Sequence, residues 1–216
     1  MEYNDKLIIK DDLLKKLRAY SETPDDESIR YKEIIKNELL KCPELLYSLN
    51  EKSLEDELFD NDGNLNIDED GNPTGEWDRY FGESSNIRPF LFFPENQTEV
   101  KNYLCYRVYF TDIPQYNPNL KKYTNIEFTI FVHGKNAIDK LTGIPRHDLI
   151  GSILRERFNW SSIFGMQAKL ISSKESLTDN NFITKTMILE IEEPNGITYT
   201  PFNEDNTYIR NREYWK

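Results

Sequence analysis

TNIEFTIFVH (124–133), GKNAIDKLTG (134–143), IPRHDLIGSILRERFNW (144–160), MQAKLISSKES (166–176) and NFITKTMILEIEE (181–193) decide the fold. They read as strand, polar loop, helix, strand, strand. In the first segment Ile126, Phe128, Ile130 and Val132 alternate with Glu127, Thr129, Phe131 and His133, the period of a half-buried antiparallel strand. In the third, Leu149, Ile150, Ile153, Leu154 and Phe158 form an apolar stripe at helical spacing, and Pro145 suits the first turn. Trp160 and Phe164 are expected to carry the core past the helix end. Ile183, Met187, Leu189 and Ile191 mark the last strand, with Glu190 and Glu192 facing outward.

Upstream, YLCYRVYF (103–110) is a strand of strong β-propensity, and IRPFLFFPE (87–95) reads as a short apolar strand closed by Pro94. The Asp112–Tyr123 stretch, with two prolines and two asparagines, is a loop. These elements predict an α+β layer: a mainly antiparallel, four- to five-stranded twisted sheet packed against helices.

Two N-terminal helices precede it. The first is built on Leu7, Ile8, Leu13, Leu14 and Leu17, with acids early and bases late, as the helix dipole favours. The second runs from about Asp25 to Lys41 and buries Ile29, Ile34, Ile35, Leu39 and Leu40; Pro43 then opens a short turn of helix. The chain divides into N-terminal helices (1–49), an acidic insertion (50–86), the α+β core module (87–193), which forms one domain with the helices, and a C-terminal arm (194–216).

Charge is concentrated. The 216 residues carry a net −11, and residues 51–86 hold twelve acids against Lys52 and Arg79, a net −10. Phosphate-backbone affinity needs a basic surface, which this balance does not offer. The insertion's Asp-Gly and Thr-Gly dipeptides predict one or two small hairpins on a protruding loop. Asn66, Asp68 and Asp70, followed by Gly71, match the opening of an EF-hand calcium loop. The closing acid falls one residue early, at Glu76, and Pro73 interrupts the loop, so a solvated turn is the reading.

The N-terminal segment has charges through its apolar positions, and no run reaches the ~18 apolar residues of a spanning helix, so neither a leader nor a membrane role is expected. Cys42 and Cys105 are read as reduced, buried thiols. No cofactor motif is present. Arg146, His147 and Asp148 bring polar groups together, but neighbours on a helix diverge by ~100°, so His147 and Asp148 are a poor hydrogen-bonded dyad. They are read instead as a helix start that caps itself or bridges to a neighbouring subunit. The chain is expected not to be an enzyme; a hydrolase using dispersed carboxylates or His147 is one alternative, and a monomeric binding module is another.

The N-terminal amphipathic helix, the strand ending in FFPE and the block VHGKNAIDKLTGIPRHDLIGSIL (132–154) resemble tailed-bacteriophage neck proteins of the tail-terminator or tail-completion type, over roughly residues 88–193. The chain differs from smaller members in its extended N-terminal helices, its acidic insertion and its tail. The resemblance implies a ring of copies of the chain, commonly six, that caps the tail tube and meets the head connector or a portal-side neck protein. Genome DNA would pass through the lumen without specific binding, in a virion assembled in the host cytoplasm. On that reading Arg146, His147, Asp148, Arg155 and Arg157 contact neighbours. So do Tyr116 and Tyr123 of the 112–123 loop, and Tyr208, Tyr214 and Trp215 of the arm.

Overall fold

The computed structural model describes residues 10, 13–15, 27–54, 58–60, 62, 64–69, 73–81, 85–91, 100–111, 121–178 and 181–194. The alternating 124–133 segment lies within the central strand β3 (Lys121–His133). β3 pairs antiparallel with β5 (Phe182–Pro194) along its whole length, Lys121 opposite Pro194 and His133 opposite Phe182. Its other side pairs antiparallel with β2 (Tyr103–Thr111), Tyr103 opposite Phe131. β4 (Ala168–Leu177) adds to β5 as an antiparallel edge, with an irregularity between Leu170 and Ser172. β1 (Ile87–Arg88) runs parallel to β2 at the opposite edge, giving the order β1-β2-β3-β5-β4. The α+β class and the mainly antiparallel sheet are as expected; β1 makes the sheet mixed. β1 ends after two residues because Pro89 has no N–H to continue the ladder, and Phe90 and Leu91 are exposed; residues 92–95 of the expected strand lie outside the described residues.

Register gathers the apolar side chains on one face: Leu104 opposite Ile130, Tyr106 opposite Phe128, Phe128 opposite Met187 and Ile126 opposite Leu189. Helices cover that face. α1 (Glu27–Leu40) packs on β2, α2 (Pro43–Leu49) on α4, and α4 (Arg146–Phe158) on β3 and β5; α3 (Asp78–Phe81) is a single turn. α1 buries Tyr31, Ile35 and Leu39, spaced four apart, while Ile29, expected inside, is exposed. In α4, Ile150, Leu154 and Phe158 are buried, each such side chain contributing roughly 1.5–3 kcal/mol. Of the first expected helix, residues 10 and 13–15 are helical, and the remainder lies outside the described residues.

Three expectations change. β3 is buried on both faces, because long side chains of the flanking strands lie across its second face: Arg107 and Tyr109 reach Glu127, Phe182 packs on Phe131, Thr129 is hidden as well, and Tyr103, Cys105, Phe131 and Phe182 form a second small cluster. Trp160 turns out of the core at φ +62°, exposed, with the Lys169 ammonium over its ring, while Phe164 does pack inside. The acidic insertion carries the expected short pairings, Phe59 with Leu65 and Ile67 with Pro73. It is nonetheless anchored rather than merely protruding: Leu58 and Tyr80 are core residues, and Trp77 meets Phe59, Tyr80 and Phe81 edge-on or tilted. Cys42 and Cys105 are buried and not joined in a disulfide. No described helix is long and apolar enough to cross a membrane.

Candidate functional site

Pro145 caps the start of α4 with φ −55°, which proline's ring imposes, and Arg146 is the first helical residue. Arg146 is fully buried. Its guanidinium donates to Ser48 O at 3.0 Å and to Glu51 Oε1 at 2.8 Å, and lies 3.3 Å from Asp139 Oδ1. Asp139 is also fully buried, and its Oδ2 accepts from the Thr142 N–H at 2.9 Å and the Thr142 hydroxyl at 2.8 Å. Burial pushes the Asp139 carboxyl up, but the Thr142 donors and Arg146 more than offset it, leaving its pKa below the usual value. Glu51 is likewise held below the usual range, first by the Lys140 hydrogen bond, then by Arg146.

This buried pair is the foundation of the loop before α4. The Asp139 N–H donates to Ile144 O, the Gly143 N–H to Asp139 O, and the Arg146 N–H to Ala137 O. Gly143 adopts φ +71°, a conformation side chains rarely take, which closes the turn. Ile138 bridges to Pro145, and Lys140 reaches Glu51 at 3.1 Å. A loop cross-braced this way holds Ile138, Leu141 and Ile144 outward at 54, 75 and 43% exposure. Beside it lies a cleft lined by Glu51, Arg79, Lys101, Lys135 and Lys140. Arg146, expected at a subunit interface, is therefore committed within the chain: no surface remains on it for a neighbour to touch.

One residue on, His147 is buried too, between α4 and the edge strand. Its Nε2 lies 3.3 Å from Glu175 Oε2 and 3.7 Å from Asp148 Oδ2. The second distance is too long for a hydrogen bond. His147 Nδ1 is buried without a hydrogen-bond partner. Asp148 pairs through Oδ1 with the Lys185 ammonium from β5, which holds the carboxyl below its ordinary pKa. Lys185 can lie across α4 because position 151 is glycine; a Cβ there would come within 3.0 Å of Lys185 Cε. One ligand atom from each of His147, Asp148 and Glu175 falls within 4.8 Å of the others.

Of the other expected contacts, Arg155 is exposed, and Arg157 turns inward to Glu38 at 3.4 Å and to Lys41 O at 3.2 Å. Arg157 thus pins α1 to α4, with a third of its side chain still exposed. Tyr123 is half-buried in β3, and its carbonyl accepts from the Thr111 hydroxyl. Tyr116, Tyr208, Tyr214 and Trp215 lie outside the described residues, as does Asp70 of the calcium candidate; Asn66 and Asp68 lie on the short paired turns.

Sequence reading missed Glu51, Asp139, Glu175 and Lys185. Asp139 carried a signal, an Asp three residues before Thr142-Gly143, the spacing of a side-chain-capped turn. Glu51, Glu175 and Lys185 carried none, since only the tertiary fold brings them to α4. A comparison with curated proteins finds no match. A family model, YomW, matches residues 37–191, from α1 through β5 and across the whole site. The chain belongs to the YomW family, a phage-type protein family.

Proposed function

We propose that the chain is a structural protein of the phage head–tail neck, forming a ring that terminates the tail tube and joins it to the head connector. The observation that carries this reading is the braced loop before α4. Ile138, Leu141 and Ile144 stand out from it although nothing in folding rewards their exposure, and contact with a second copy would bury them. The adjoining cleft brings Lys101, Lys135 and Lys140 beside the insertion's own Glu51 and Arg79, and its lysines complement in charge the acids that the insertion of a neighbouring copy would offer. Two different complementary patches on one chain make a head-to-tail contact, which closes into a ring when the rotation permits. The phage-type family and the helix-backed sheet support the same reading.

In this reading the protein works by assembly, not turnover. Its partners are further copies of itself, six to a ring by the likeness to neck proteins; the tail tube protein; and the head connector or portal-side neck protein. Genome DNA passes through the lumen without specific binding, since the chain's net charge of −11 offers no basic track for phosphates. The protein's place is the virion, after assembly in the host cytoplasm. The test is electron cryomicroscopy of purified virions carrying a tagged copy of the chain. Ring density at the head–tail joint, with the tag on it, is expected; virions free of the chain would overturn the reading.

A further inference from the structure

We propose that His147, Asp148 and Glu175 form a site for one divalent transition-metal ion of the zinc type, clamping the start of α4 to the edge strand β4. This stands apart from the neck reading and does not depend on it. A first-row divalent ion binds imidazole nitrogen and carboxylate oxygen at ~2.0–2.2 Å, so two ligand atoms on a tetrahedral ion sit about 3.4 Å apart. Nε2 of His147 is 3.3 Å from Glu175 Oε2 and 3.7 Å from Asp148 Oδ2, close to that edge length. At 3.7 Å the second contact is too long for a hydrogen bond, whereas an ion between the groups would satisfy both.

The imidazole is the independent pointer. Its side chain is 6% exposed, and Nε2 faces both acids, 3.3 Å from Glu175 Oε2 and 3.7 Å from Asp148 Oδ2. A buried imidazole nitrogen brought against two carboxylates is stabilised by a cation shared among the three groups. The carboxylates differ: Asp148 and Glu175 are 44% and 55% exposed, which leaves an entry path and room for water in the remaining positions. A nitrogen among the donors favours zinc, cobalt or nickel over calcium and magnesium, which take oxygen. Two features make the site a modest binder. Nδ1 lacks the outer partner that usually fixes a metal-bound histidine, and Lys185 already neutralises the other oxygen of Asp148.

The ions' connection to the fold is direct. Asp148 and His147 belong to the first turn of α4, and Glu175 to β4, the sheet edge with no further strand among the described residues. A bound ion would therefore stiffen that edge.

The full-length chain is titrated with Co2+, following the visible absorption of the nitrogen- and oxygen-ligated ion, and then with Zn2+ in competition. One equivalent per chain is expected, with a rise in Tm on Zn2+ that EDTA reverses. Glu175→Gln, on an exposed edge position, should keep the metal-free Tm and weaken binding at least tenfold. His147→Gln should abolish the cobalt spectrum. Lys185→Met should tighten binding several-fold, because it removes the competing cation from Asp148; a merely structural lysine would not do this. Binding of no equivalent, or of one equivalent that Glu175→Gln and Lys185→Met leave unchanged, would overturn the site.

Discussion

The Arg146 guanidinium and the Asp139 carboxylate lie 3.3 Å apart with both side chains wholly removed from water. The contact is Coulombic, since Asp139 Oδ1 itself has no hydrogen-bond partner, while Oδ2 is held by Thr142. Taking both charges out of water costs several kcal/mol, and the hydrogen bonds to Ser48, Glu51 and Thr142 are what make the burial tolerable. The product is a loop whose shape is fixed from beneath and whose apolar side chains face out.

Removing one member of this pair strands the other. Arg146→Ala is expected to lower stability by about 3–5 kcal/mol, because Asp139 is left as an uncompensated buried charge. Arg146→Met, which keeps the volume, should cost less when combined with Asp139→Asn than alone. Urea denaturation of the four proteins measures the coupling directly.

Acid should act through the same group. The pKa of Asp139 is depressed in the folded chain, so its contribution is fully present above the unfolded value near 3.9 and is lost as pH falls through the native value. Asp148 and Glu51 are depressed as well and add in the same direction. The urea midpoint should therefore fall steeply below about pH 4. Asp139→Asn should start lower at neutral pH and lose less on acidification.

At the far end of the sheet, the Tyr31 hydroxyl donates to Glu193 Oε2 at 2.7 Å, tying α1 to β5. Burial, with Glu193 alongside, drives the phenol's pKa well above its ordinary value. Tyr31→Phe removes one charge-assisted bond but leaves Thr124 and Lys122 beside the carboxylate. A loss of about 1.5 kcal/mol in thermal or urea unfolding is expected.

The Cys42 thiol is pushed up to about 11 by burial. At pH 8 only roughly one thiol in a thousand would be ionised even if reagent could reach it. Cys42 should therefore label with a thiol reagent only at the rate of opening, and promptly in denaturant. Timed alkylation followed by peptide mass spectrometry reads this out.

The long elements were legible because their periods are clean. Ile126 to Val132 alternate, Ile150, Leu154 and Phe158 recur by four, and Pro145 marks the helix start. What stayed hidden depends on neighbours that local pattern cannot name. Glu127 and Thr129 look like a solvent face, yet both are buried, with the Arg107 and Tyr109 side chains of β2 reaching over to Glu127. Arg146 has the residue type most often left on a surface, and its partner Glu51 lies 95 positions away. Trp160 is apolar in type but is turned outward by a positive φ that no pattern announces. Gly151 reads as a flaw in a helix until Lys185 is seen crossing it.

The central claim is that the braced loop before α4 is where copies of the chain meet. Native mass spectrometry of the full chain, alone and with tail tube protein, compares wild type with Leu141→Asp. Wild type should give closed multiples, with six as the expected ring. Leu141→Asp, at a position 75% exposed, should stay monomeric at unchanged Tm. A wild type that remains monomeric with the tube protein present, or a variant that assembles as well as wild type, would contradict the account.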